Sequence, residues 1–272
     1  MNTVEIGKRA LSTIRGNKAL WFFGFFVASS GAGGAGGRPG HGGGPVPIWV
    51  WLAVAAAVVC AGAFLILHVL SEAALIEGVV RQRSGERLGV GAGLRDARRH
   101  FFRLLGFKAG ALGLAFLGVA VLAAPALAAA LGVLPAALGI GISLVLAVPG
   151  VIALLTLALL YEYGMRAIVL EERTAGDAWR AARRRLSGHL VDGTQLLLLS
   201  FAGQLGGNAL AFVAVLPGLG AGLIAYAFGG LPVAIALGAL VALPFLVPVI
   251  GATASFRSSV WTLGYLEGRE AR

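Results

Sequence analysis

SEAALIEG (Ser71–Gly78) returns in looser form as GMRAIVLEE (Gly164–Glu172) and again as SSVWTLGYLEG (Ser258–Gly268). Each copy closes an apolar run and carries a glutamate, and Glu77, Glu171 and Glu267 are separated by 94 and 96 residues. Reading back from each glutamate gives one order three times: a basic amphipathic stretch, an apolar run, a turn, a second apolar run and the tail. The basic stretches are Val4–Arg15, Leu94–Leu105 and Ala178–Leu190. A near-constant period of this length, with two apolar runs inside it, predicts a helical hairpin copied three times in a membrane.

Composition agrees with a lipid solvent. The chain has 272 residues, 58% of them apolar and only 12% charged, with a mean hydropathy of +0.88. Soluble domains carry roughly 25% charge. Crossing the hydrocarbon as a helix takes about 20 apolar residues. Six segments meet or approach that length: Ala19–Ala35, Ile48–Leu70, Leu104–Ala124, Ala136–Leu160, Leu190–Leu216 and Leu231–Phe256. No cleavage region follows the first, so it is expected to be retained as a helix rather than removed as a signal peptide. The predicted fold is all-α: one integral membrane domain over 1–272, with six transmembrane helices in repeats at about 1–88, 89–173 and 174–272. The Gly-rich tract over 31–47 is expected to be a flexible outer loop.

Charge sets the orientation. Of 22 Lys and Arg, only Arg38 falls in the expected outer loops Gly36–Pro47, Pro125–Pro135 and Pro217–Pro232. Positive residues in short loops stay cytoplasmic, so both termini are expected inside, in a bacterial or archaeal cytoplasmic membrane. The net charge of +10 is therefore concentrated at one membrane surface. Each Lys or Arg near an anionic leaflet contributes about 1 kcal/mol of attraction, so phospholipid headgroups, not nucleic acid, are the expected partner. The single Cys60 lies mid-helix among Ala and Val and has no second cysteine to pair with.

The three basic stretches read as interfacial elbow helices. Leu94, Ala97, Phe101 and Leu104 recur at helical spacing opposite Arg95, Arg98, Arg99 and Arg103; Trp179, Ala182, Leu186 and Leu190 do so opposite Arg180, Arg183, Arg184 and Ser187. In the first copy Val4, Leu11 and Ile14 face away from Lys8, Arg9, Ser12 and Arg15. Such a helix is expected to sink its apolar side to headgroup depth. RGNKAL, LLGFKAG and LSGHLVDG are the expected bends into the spanning helices, each supplied with a glycine. Pro125 with Pro135, and Pro217 with Pro232, are expected to bracket outer turns, whereas Pro149, Pro244 and Pro248 lie inside helices and kink them.

Ionisable residues near a membrane are candidates for function, because burying them is costly. Aligning the glutamate tails puts His68, Glu162 and Ser258 in register, as well as Glu72, Arg166 and Thr262. His68, Glu72, Glu162, Arg166 and Arg257 are therefore expected to gather at the inner end, as an internally paired polar collar or as a vestibule for an anion or solute. Glu77, Glu171 and Glu267 are expected past the helix ends, paired with elbow arginines among Arg98, Arg99, Arg183 and Arg184. Gln204 and Asn208 are expected to bond between helices. No nucleophile elbow, metalloprotease helix, phosphate loop or Cys/His cluster occurs, so neither catalysis, a metal nor a cofactor is expected.

The stretches NKALWFFGFF (17–26), EAALIEGVV (72–80) and RAIVLEERTAGDAWRAARRRL (166–186) resemble prokaryotic six-helix proteins labelled as the membrane domain of glycerophosphoryl diester phosphodiesterase, or left uncharacterised. In the full proteins a separate soluble barrel performs the hydrolysis; none follows Arg272, so the resemblance implies the fold without that activity. The expected role is non-enzymatic: a basic inner surface binding anionic phospholipid through Arg95, Arg98, Arg99, Arg180, Arg183, Arg184 and Arg185, in a structural, lipid-handling or partner-anchoring component. The alternatives are a small-solute or lipid transporter or channel entered by the polar vestibule, and a membrane subunit of a larger complex.

Overall fold

The computed structural model describes residues 3–29, 48–86, 89–188 and 190–270. Arg38, His41 and the expected outer loop lie outside that set, as do the last six residues of the expected first span. All regular structure among the described residues is helical. In order the helices are α1 (Thr3–Gly16), α2 (Ala19–Ser29), α3 (Ile48–Arg83), α4 (Val90–Ala97), α5 (Phe101–Ala130), α6 (Ala136–Glu171), α7 (Ala175–Gly188) and α8 (Leu190–Glu270), with a 3-10 turn at Arg98–His100. Four continuous stretches, Ile48–Arg83, Val90–Ala130, Ala136–Glu171 and Leu190–Glu270, are long and apolar enough to cross a membrane. The protein is a multi-pass membrane protein by length and composition.

The chain forms two compact units, Met1–Arg99 with Leu198–Arg272, and His100–Leu197. In the first, α2 and α8 cross at glycine. A Cβ on Gly251 would collide with the Trp21 carbonyl and one on Gly24 with the Gly251 carbonyl, so only hydrogen fits at either position. The Ser255 hydroxyl donates to the Leu20 carbonyl across the same crossing at 2.6 Å. Small residues let helices approach where lipid removes any hydrophobic drive between them. In the second unit Phe107 of α5 lies 4.9 Å from the Trp179 ring of α7 and 6.0 Å from Tyr161 of α6, centroid to centroid. Gly164 leaves the space that the Phe107 ring fills.

Both turns fall inside the brackets drawn by the prolines, each at a glycine, and Pro135 caps the start of α6. Pro125 lies inside α5, and the chain reverses over 131–135 with Gly132 at φ 75°. Pro217 and Pro232 both lie inside α8, which breaks at Gly230 (φ 69°, ψ −168°). Positive φ costs glycine little and other residues more. A proline in a spanning helix removes one hydrogen bond that neighbours can replace. The two arms of α8 then close on each other, with Gly218 against the Gly238 carbonyl and Gly222 against the Ala234 carbonyl.

The elbows differ from expectation in two ways. The second bend is the 3-10 turn at Arg98–His100, while LLGFKAG runs straight within α5. The apolar faces are packed inside the protein instead of resting on lipid: Ile6, Ala10 and Ile14 of α1, Ala97 of α4, and Ala178, Ala182 and Leu186 of α7 are all buried. Val4 and Leu11, expected on the buried side of α1, are exposed. Spacing of four residues along Ile6, Ala10 and Ile14 sets a tighter stripe than the one drawn through Val4, because small Ala10 lets the helix approach its support.

Candidate functional site: the basic elbow faces and the polar collar

With its apolar stripe turned inward, each elbow turns its cations outward. The side chains of Lys8 and Arg15 on α1, Arg95 and Arg98 on the second elbow, and Arg183 and Arg184 on α7 are exposed and carry no ion pair or hydrogen bond among the described residues. Nearby carboxylates are committed to other arginines. Glu77 accepts from Arg99 at 3.0 Å, and Asp96 is paired with Arg81. Arg180 pairs with Asp177 at 2.6 Å, and Arg9 reaches both Glu5 and Glu267. Among the described residues each elbow helix is left with two cations that make neither an ion pair nor a hydrogen bond.

The seven arginines expected at headgroups thus divide. Arg95, Arg98, Arg183 and Arg184 are available, whereas Arg99 and Arg180 are held by carboxylates. Arg185 is half-buried and engaged within the protein. Lys8 and Arg15, which the sequence places on a polar helical face but not among the headgroup residues, show the same availability as the first four. Their basic periodicity was the signal.

Local chemistry keeps Arg180 occupied. Thr174 precedes α7 and its hydroxyl accepts from the Asp177 N–H at 3.3 Å while donating to the Asp177 carboxylate at 2.8 Å, a capping arrangement legible in the sequence as T-x-x-D. That hydroxyl, and then the Arg180 guanidinium, hold the Asp177 carboxyl below the usual carboxylate range. The carboxylate is ionised at neutral pH with or without the shift; the contribution of the lowered pKa is present above the ordinary carboxylate range and is lost as pH falls through the depressed value.

The glutamates of the three tails lie within helices or at their last residue, not beyond them: Glu77 inside α3, Glu171 closing α6 and Glu267 inside α8. The helices run on because Ala, Leu and Ile in the tails favour helix, and α6 stops only where Glu172 turns left-handed at φ 52°. The Glu172 carbonyl accepts from Arg103 at 2.7 Å. Glu171 pairs with Arg173 at 2.6 Å and Glu267 with Arg9, whereas Glu77 pairs with Arg99, one of the expected elbow partners. Gln204 donates to Asn208 at 3.0 Å one turn along the same helix, in place of the expected bond between helices.

The collar residues are held in place by their own helices. His68 lies on α3 with Nδ1 2.9 Å from the carbonyl of Phe26. A carbonyl only accepts, so Nδ1 carries the proton, and His68 caps one of the unpaired carbonyls at the end of α2. Its Nε2 is 3.9 Å from Glu72. His68→Phe is expected to leave the Phe26 carbonyl unbonded and lower stability by about 1–3 kcal/mol, read as a lower midpoint of thermal unfolding in detergent. On α6 the Arg166 Nη1 donates to the Glu162 carbonyl at 2.9 Å and to its carboxylate, with both residues buried. Arg257 is exposed. His68, Glu72 and Arg257 belong to the first unit, Glu162 and Arg166 to the second. An apolar notch of about 530 Å³ lies between the arms of α8, lined by Ala221, Ile224, Phe228, Val233 and Leu237. No group of three or more His, Cys, Asp or Glu that could hold a metal occurs among the described residues.

One protein family, described as "Family of unknown function (DUF7544)", matches residues 15–263. No curated protein and no solved structure matches the chain, and the family match does not refer to a phosphodiesterase membrane domain.

Proposed function

The chain belongs to DUF7544, a family of unknown function, and we propose from its own residues that it is a non-enzymatic protein of the cytoplasmic membrane. Its basic inner face holds anionic phospholipid, in a structural, lipid-handling or partner-anchoring role. The single observation carrying this reading is the set of exposed, unpaired cations left on the elbow helices.

The proposed topology has six crossings as three elbow-and-hairpin repeats, with both termini inside. Two features support it. Exposure switches sharply along the long helices: from 48% at Ile66 to 0% at Val69 in α3, from 47% at Leu155 to 6% at Leu159 in α6, and from 53% at Phe245 to 0% at Ser255 in α8. Apolar side chains need no burial in hydrocarbon and favour it beside water, so on each helix taken by itself the switch supports an inner boundary near that point. The exposed part of α3, residues 48–67, is about 30 Å long at 1.5 Å per residue, the thickness of the hydrocarbon. The second feature is the company α1 keeps: Arg9 pairs with Glu267 near the end of α8, and Gly16 abuts Gln82 near the end of α3. The N-terminal helix therefore shares a level with the ends of α3 and α8, which supports an even number of crossings. In this reading each elbow lies at headgroup depth beside the spanning helix it joins, with its exposed cations available to the leaflet.

The test replaces Arg95, Arg98, Arg183 and Arg184 by Gln in the full chain, reconstituted in mixed phosphatidylglycerol and phosphatidylcholine bilayers and re-extracted. At about 1 kcal/mol per cation, retention of phosphatidylglycerol by the variant should fall at least about tenfold. Unchanged retention would remove the reading.

A further inference from the structure

We propose that the Arg95–Arg98 and Arg183–Arg184 pairs are clamps for phosphomonoester headgroups, preferred over singly charged phosphodiester headgroups. This rests on the phospholipid reading above and specifies its ligand. Charge count is the first argument. Each pair presents two guanidiniums with no carboxylate partner, because Asp96 is taken by Arg81 and Asp177 by Arg180. A phosphodiester brings one negative charge and leaves the second guanidinium unmatched. A phosphomonoester carries about −1.5 to −2 at neutral pH and three terminal oxygens, which matches two planar forks each able to donate in parallel.

Spacing is the second argument. Arg95 and Arg98 are three residues apart across the junction of α4 with the 3-10 turn, where side chains at that interval stand over one another. Arg183 and Arg184 are adjacent on one exposed stretch of α7, about 100° apart around the helix, and it is the length of their side chains that lets both forks reach one ligand. Both pairs can close on one phosphate. Lys8 and Arg15, the free cations of α1, lie seven residues apart, a rise of about 10 Å, and Lys8 is a point charge that lacks the planar fork of a guanidinium. The same protein therefore contains two close arginine pairs and one wider pair of mixed type, and charge alone would not distinguish them.

The experiment uses the full chain in detergent, titrated by calorimetry with dioctanoyl phosphatidic acid, dioctanoyl phosphatidylglycerol, dioctanoyl phosphatidylcholine and inorganic phosphate. Phosphatidic acid is expected to bind at least about tenfold more tightly than phosphatidylglycerol at pH 8. That ratio should shrink at pH 5.5, since the second ionisation of the phosphomonoester lies near 6 and arginine does not titrate. R95Q/R98Q combined with R183Q/R184Q should abolish the ratio. K8Q/R15Q should weaken both lipids alike and leave the ratio intact, an outcome that controls for folding and for simple charge. Equal, strong binding of both anionic lipids would overturn the clamp while leaving the basic-face reading in place. Binding no tighter than phosphatidylcholine would overturn both. Displacement of phosphatidic acid by inorganic phosphate at equal concentration would overturn the lipid assignment.

Discussion

Arg166→Met is expected to lower the stability of the protein by about 3–5 kcal/mol, among the largest effects of any single substitution in the chain. Arg166 is 4% exposed and Glu162 6%, and the guanidinium is bound to both the carbonyl and the carboxylate of Glu162. Removing it takes from a buried anion the guanidinium that binds it in two places, and the cost of weakening the compensation of that charge outweighs the loss of the hydrogen bonds themselves. Adding Glu162→Gln to Arg166→Met should recover most of the loss, because a buried ion pair taken out whole is often nearly neutral. Thermal unfolding of the two variants in detergent checks this. If the single and double variants unfold alike, the pair is not coupled in the way its geometry indicates. A recovered double variant that also retains anionic lipid would place Glu162 and Arg166 in the architecture and outside the proposed headgroup site.

Gly251→Val is expected to cost about 3 kcal/mol or more, the upper end of overpacking, since the added carbons meet the backbone at Trp21, which cannot rotate aside as a side chain could. The crossing of α2 on α8 is held at that point, and the Ser255 to Leu20 hydrogen bond would be pulled apart with it. Gly110→Val in α5 is the matched control. Its Cβ position faces open space, and it should shift the unfolding midpoint little. The comparison separates the loss of a close approach from the general effect of replacing glycine in a helix.

Much of the architecture was legible because lipid simplifies the code. Long apolar runs at Ile48–Leu70 and Ala136–Leu160 could be little else than helices, and both are inside longer ones. Helix extent was less legible. The tails carry charge at Glu77 and Glu267, which reads as an ending, yet α3 and α8 continue past them because those carboxylates find arginines. The outer turn between Pro217 and Pro232 was legible, but its place at Gly230 was not, because both prolines are accommodated within the helix. For the site, periodicity located the cations and could not say which were free. That depends on Asp96 choosing Arg81 and Glu77 choosing Arg99, contacts between residues 15 and 22 positions apart that no local pattern encodes. The capping role of His68 was hidden for the same reason, its partner being the backbone of Phe26.

Thiol accessibility at three sites tests the orientation on which the headgroup reading depends. In a Cys60→Ala background, single cysteines would replace Val133 in the turn between α5 and α6, Ser187 near the end of α7 and Ser84 just after α3. A membrane-impermeant maleimide applied to intact cells should label the cysteine at 133 and should reach those at 84 and 187 only after the membrane is opened. Labelling at 187 in intact cells, or the same accessibility at 133 and 187, would contradict a basic face turned to the cytoplasm.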